Sequence, residues 1–209
     1  GRTWSADELR KVHDICSRHE VTVVSDEIHC ELTMPGIRYV PYGTIDHDAI
    51  VCLSPSKAFN IAGLQIANII CSSPEKRAKI DRAININEVC DVNPFGVEAL
   101  IAAYSPEGNN WLTDLREYIH DNYIYTRDLI TSRLHCPVTR LEATYLPWVD
   151  ISSLGIPADA LEEKLLKDAG VWVNSGVMYG ADGYIRLNIA CPRSTLEEAL
   201  NLIIDSLSR

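Results

Sequence analysis

Three short apolar runs constrain this chain most. Residues 21–25, 49–53 and 66–71 are rich in β-branched side chains and lack the polar alternation of a half-exposed strand. A strand apolar on both faces must be covered on both sides, which is the condition of a buried, largely parallel sheet. The connections between them are helical or turn-rich, so the grammar is that of an α/β layer fold. The first two runs empty into polar strings, Ser25-Asp26-Glu27-Ile28-His29 and Ser54-Pro55-Ser56-Lys57. In a parallel sheet such strand ends converge on one edge, where ligands bind.

The flanking segments fill in the architecture. Ser5 and Glu8 form a capping box, and Leu9, Val12, Ile15, Cys16 and His19 follow at helical spacing, giving a first helix. Residues 73–103 read as helical with a break near Val92-Asn93-Pro94, because proline removes a donor and disfavours helical angles before it. A long helix over 111–134 is expected to link two lobes. Beyond it come strand-like stretches at 145–151, 171–173 and 184–189, and a helix opened by Pro157 and stopped by Gly170. The last helix is expected to open at Ser194 with Glu197 as a second capping box. Its stripe would be Leu196, Ala199, Leu200, Ile203, Ile204 and Leu207. The domain reading is therefore 1–108, a linking helix at 109–135, and a smaller α+β lobe at 136–209.

Composition narrows the function classes. The 209 residues are 46% hydrophobic and 23% charged, as in an ordinary globular chain. A formal charge of −10 opposes a phosphate backbone, so no nucleic-acid partner is expected. The seven cysteines include no C-x-x-C pair, which argues against a disulfide framework or structural zinc and for small buried hydrophobes in a reducing, cytoplasmic setting. No run approaches the roughly 18 apolar residues of a membrane span, and no membrane partner is expected. The opening Gly1-Arg2-Thr3-Trp4, without an initiator methionine, reads as a piece of a longer protein.

Lys57 follows a buried strand and is flanked by Ser54 and Ser56, so it is either an amine nucleophile or base beside phosphate-holding hydroxyls or a solvated surface lysine. Asp26, on the other strand end, could pair with a protonated heterocyclic nitrogen or simply cap a turn. His29 with Glu27 or Asp26 has no second histidine pair at ligand spacing, so no metal is expected. Arg186 lies inside the apolar run 184–189 and needs an anion, supplied by an internal carboxylate or by a ligand carboxylate on its planar fork. The glycine-bearing segment 175–183 has neither dinucleotide nor Walker spacing, and nucleophile-elbow and H-E-x-x-H motifs are absent.

Taken in order, Ser25-Asp26-Glu27-Ile28-His29, then Ser54-Pro55-Ser56-Lys57-Ala58-Phe59-Asn60 through Gln65, then Tyr184-Ile185-Arg186-Leu187-Asn188-Ile189-Ala190-Cys191-Pro192-Arg193 resemble the class I/II aminotransferase-like, fold-type I pyridoxal-phosphate enzymes. The His after Asp-Glu-Ile, the Phe-Asn after the lysine and the run from Asn93 to Leu100 look most like the cystathionine β-lyases of the MalY/PatB type. The resemblance implies part of a large, mostly parallel domain that lacks its first strands, followed by a small α+β domain.

It further implies that Lys57 binds pyridoxal 5'-phosphate covalently and moves the Cα proton, and that Asp26 keeps the pyridine nitrogen protonated. Ser54 and Ser56 would lie near the cofactor phosphate, and Arg186 would clamp the substrate α-carboxylate. The implied reaction is β-elimination of a sulfur amino acid to thiol, pyruvate and ammonia by a homodimer. His29 and Gln65 stand where many aminotransferases carry tyrosine and arginine, so His29 is a cofactor-binding candidate of altered type. An aminotransferase and a non-catalytic interaction module are the alternative readings. As a C-terminal piece, the chain alone is expected to bind cofactor weakly or not at all, and to show an unpaired sheet edge with exposed apolar surface.

Overall fold

The computed structural model describes residues 1–88 and 91–207. Cys90, one of the seven cysteines, lies outside the described residues. The chain divides into two compact units, Thr3–Asp114 and Gly1–Arg2 with Leu115–Arg209.

In the first unit, Ser5 accepts from the Glu8 amide while the Glu8 carboxylate takes the Ser5 amide, and this capping box opens helix α1 (Ala6–Arg18). Its apolar stripe is uncovered: no α1 residue is buried, and Ile15 is 51% exposed. Strand β1 (Val24–Asp26) pairs in parallel with β2 (Ile50–Leu53), in the register Val24 to Ile50 and Asp26 to Cys52. Strand β3 (Asn68–Ile70) then pairs with β2 in the antiparallel sense, a direction that the expectation of a largely parallel sheet left open. The chain reverses through the turn at Ala62–Leu64 and the left-handed Gln65 rather than through a crossover helix.

In the order β1-β2-β3 both outer strands present an open edge among the described residues. Val24, Ile69 and Ile70 are exposed there, the open apolar edge the sequence leads one to expect. Helix α2 (Pro74–Ile86) is capped by Ser73, and α3 (Pro94–Ala103) by Asn93, with proline at the first turn of each. Gly96 lets α3 approach the segment before β3, since a Cβ there would lie 2.9 Å from the Leu64 carbonyl oxygen.

Helix α4 (Pro106–Leu134) begins five residues earlier than its apolar periodicity, because Ser105 Oγ accepts the Gly108 amide at 3.1 Å. Its later turns bury Ile119, Tyr123 and Ile130 in the second unit. There β6 (Tyr184–Arg186) lies between β4 (Trp148–Asp150) and β5 (Asn174–Ser175), antiparallel to both. Residues 171–173 precede the strand rather than form it. Helix α5 (Ala158–Ala169) follows Pro157 and stops at Gly170, whose φ of +67° suits glycine.

Helix α6 (Arg193–Leu207) buries Leu196, Leu200, Ile203 and Ile204 as one stripe. It begins at Arg193, so Ser194 is its second residue and not its cap, a correction to the second capping box. The Tyr118 hydroxyl instead accepts the Arg193 amide at 2.7 Å and satisfies one of the orphan donors. Each large apolar side chain of such a core contributes about 1.5–3 kcal/mol of transfer free energy. At the centre Asn122, fully buried, donates from Nδ2 to the Ile189 and Cys191 carbonyls at 2.9 and 3.1 Å, tying the segment after β6 to α4.

Candidate active site

Because β1 and β2 run in parallel, Asp26 and the segment Ser54–Lys57 leave the sheet at the same edge. Asp26 Oδ1 accepts the Ile28 amide at 3.1 Å, the turn-capping role, which leaves Oδ2 with no bond among the described residues. The loop after β2 is fixed from within. Ser54 Oγ donates to the Ile66 carbonyl at 2.7 Å and accepts the Ser56 amide at 3.1 Å, the Phe59 amide bonds Pro55, and the Ile61 amide bonds Ser56. Asn60 completes the turn in the left-handed region, at φ +54°.

Lys57 projects from this buried loop as an exposed side chain and makes no ion pair among the described residues. Trp111 stacks on Phe59, ring centroids 5.3 Å apart. Ser56 is buried, and its hydroxyl has no bond among the described residues. The Ser54 hydroxyl, by contrast, has its only proton engaged by Ile66, so it braces the loop and cannot donate to a ligand while that bond stands.

His29, half-buried, completes the cluster. Burial holds its pKa below the ordinary 6.5, the nearby Lys57 charge lowers it further, and Asp26 opposes both. The imidazole is therefore neutral at pH 7. Glu27, which the sequence offered only as a metal partner, is buried and structural: its Oε1 accepts the Ser25 hydroxyl at 2.8 Å and the Tyr42 amide at 2.9 Å. On its side a recess of about 380 Å³ is lined by Cys30, Glu31, Tyr39 and Tyr104, and by none of Asp26, His29 or Lys57. Tyr104 donates to Glu31 there at 2.8 Å, a pairing 73 residues apart for which the sequence carries no signal. Among the described residues no group of three or more His, Cys, Asp or Glu side chains is placed to hold a metal.

Arg186, in the second unit, has no carboxylate partner among the described residues, so the internal-carboxylate alternative is not realised. Its Nη2 donates to Asn174 Oδ1 at 3.0 Å, the guanidinium carbon lies 4.6 Å from the Tyr179 ring centroid, and Nε is buried without a partner. The six described cysteines are all free, but only Cys71 and Cys136 are fully buried. Cys16, Cys30, Cys52 and Cys191 are half-buried, which corrects the reading of most as core hydrophobes. No described helix is long and apolar enough to cross a membrane.

The model of the family aminotransferase class I and II matches residues 1–203. The chain belongs to that family. It is 37% identical over 215 residues to cystathionine beta-lyase PatB of Bacillus subtilis (strain 168), covering 100% of this chain and 55% of that protein. Protein MalY of Escherichia coli (strain K12) is 33% identical, over 99% of this chain and 54% of its own length. Among solved structures, cystalysin from Treponema denticola, which contains pyridoxal 5'-phosphate, superposes with a TM-score of 0.94 at 31% identity, covering 100% of this chain and 54% of that one. The fold is thus that of the pyridoxal-phosphate, fold-type I enzymes, and the chain spans about half the length of the curated relatives it matches.

Proposed function

We propose that this sequence belongs to a pyridoxal-phosphate-dependent carbon–sulfur β-lyase that cleaves a sulfur amino acid such as cystathionine to a thiol, pyruvate and ammonia. The observation that carries the reading is the set of open groups at the shared end of β1 and β2. The unpaired Lys57 amine, the free Asp26 Oδ2 and the Ser56 hydroxyl match in chemical type the aldehyde, the ring nitrogen and the phosphate of that cofactor. The relatives named as cystathionine beta-lyases support elimination over amino transfer.

When bound, the cofactor would supply an electron sink for the pair left on Cα after proton removal. Lys57 would hold it and, as a released amine, accept the Cα proton and pass it to the departing thiolate. Asp26 Oδ2 would keep the ring nitrogen protonated, with the carboxylate fixed in orientation by the Ile28 amide on its other oxygen. His29, neutral at pH 7, can hydrogen-bond the ring hydroxyl without adding charge beside Lys57. Ser56 would donate to the phosphate, while Ser54 serves by bracing the loop. Arg186, whose Nη1 protons carry no bond among the described residues, would take the substrate α-carboxylate.

The same reading assigns residues 1–108 to the large domain, 109–135 to the interdomain helix and 136–209 to the small domain. It also gives the whole protein a homodimeric state and a cytoplasmic setting. In the gene product carrying this sequence, cystathionine and pyridoxal phosphate should yield thiol and pyruvate, with a visible cofactor band that Lys57→Ala abolishes. Amino transfer to a 2-oxo acid without thiol release would overturn the lyase reading, and unaltered catalysis in Lys57→Ala would overturn the site.

A further inference from the structure

The loop between β5 and β6 carries no nucleotide motif and the proposed reaction gives it no task, yet its backbone is closely determined. The Gly176 amide donates to the Tyr184 carbonyl at 2.8 Å, and the Gly176 carbonyl accepts from Tyr179 at 2.9 Å and Ala181 at 3.0 Å. A Cβ at Gly176 would lie 2.1 Å from the Ala181 oxygen and 2.6 Å from the Tyr184 oxygen, so only glycine fits. The one-turn helix Val177–Tyr179 then closes on Gly180 in the left-handed region. The product of this construction is the placement of Tyr179. One face of its ring covers the Arg186 guanidinium at 4.6 Å, and Trp148 meets it edge-on at 5.3 Å.

Arg186 is held from the sheet as well. Asn174 is its cross-strand partner on β5 and Trp148 its partner on β4, and the Asn174 amide oxygen takes one Nη2 proton at 3.0 Å. Both groups that fix the guanidinium, a ring face and an amide oxygen, are neutral. A carboxylate in either position would orient the arginine equally well but would neutralise it, and an incoming anion would meet no net positive field. Neutral partners orient the fork and leave its charge intact, with Nε–H still to be satisfied.

We infer that Tyr179 and Asn174 are positioning residues that keep Arg186 both oriented and uncompensated for a ligand carboxylate, and that presenting Tyr179 is the task of the glycine-bearing loop. The inference rests on the reading of Arg186 as the substrate carboxylate clamp.

The test follows the Arg186 Nε–H resonance of the full chain by ¹H–¹⁵N NMR, assigned through its loss in Arg186→Lys, during titration with L-alanine as the carboxylate probe. Thermal unfolding of each variant reports whether it folds. The native chain should shift saturably, and Tyr179→Phe, which keeps the ring face, should match it. Tyr179→Leu should bind about fivefold to thirtyfold more weakly, the range of a partly desolvated cation–π contact. Asn174→Asp retains the hydrogen bond but adds a charge, and should weaken binding at least as much while leaving thermal stability unchanged. That outcome separates charge preservation from a merely structural tie, and it stands on its own if Tyr179→Leu fails to fold. No saturable shift in the native chain would overturn the clamp reading and this inference together. Saturable binding that Tyr179→Leu and Asn174→Asp leave unchanged would overturn the positioning role alone.

Discussion

Ser54→Ala removes one oxygen that serves two buried groups at once, the Ile66 carbonyl and the Ser56 amide. Ser54 is 4% exposed, Ile66 8% and Ser56 9%, so water can replace the lost partner only in part. A buried polar group left without its partner costs about 1–3 kcal/mol, and two such groups give about 2–6 kcal/mol. The lower end applies if a water reaches the Ser56 amide through its small exposed fraction. Even about 2 kcal/mol is a large share of the roughly 5–15 kcal/mol that holds an ordinary domain together.

The assay is hydrogen–deuterium exchange at the Ser56 amide with no cofactor present, with urea unfolding of the first unit alongside. A local loss of 2 kcal/mol corresponds to about thirtyfold faster exchange, and the urea midpoint should fall with it. The competing account has the hydroxyl acting on a phosphate, which predicts no change without cofactor. Unchanged Ser56 exchange and an unchanged midpoint, with only cofactor binding weakened, would refute the structural account of this serine.

Two further outcomes follow from titration behaviour. Burial, and after it the Glu31 charge, push the Cys30 thiol up to about 12. At pH 8 about one molecule in ten thousand would then carry the thiolate, so iodoacetamide should leave Cys30 unmodified in the native chain and modify it in urea, and fast native alkylation would contradict its assigned environment. His29 should titrate below 6.5 in an NMR pH series, moving up in Lys57→Met and down in Asp26→Asn. Because the folded state binds this proton less readily than the unfolded one, the stability tied to His29 is complete above pH 6.5 and is lost as pH falls through the lower folded value. A midpoint at or above 6.5 would show that Lys57 and burial do not act on it.

The chemistry of this chain was legible where it depends on near neighbours and illegible where it depends on distant ones. Asp26 and Lys57 could be placed at one sheet edge because two apolar runs, each followed by a polar string, leave little else for parallel strands to do. The same apolar character could not give the direction of β3, since a strand apolar on both faces reads alike in either sense, and the reversal is decided at the turn through Gln65. Ser194 has the residue type and the spacing of a cap, yet Tyr118, 75 residues earlier, accepts the Arg193 amide and moves the helix start. Ser54 and Ser56 look equivalent as hydroxyls beside a lysine; only the Ile66 carbonyl, twelve residues on, separates the one that braces from the one that can donate. Arg186 shows the rule in its sharpest form. A guanidinium within an apolar strand demands a partner, and the sequence says no more than that. The neutral Asn174 and Tyr179 answer the demand for geometry without answering the demand for charge, and that is the open capacity which the proposed carboxylate clamp would use. Local sequence thus fixes which groups are present at a site, whereas long-range contacts decide which of their bonding capacities remain to be used.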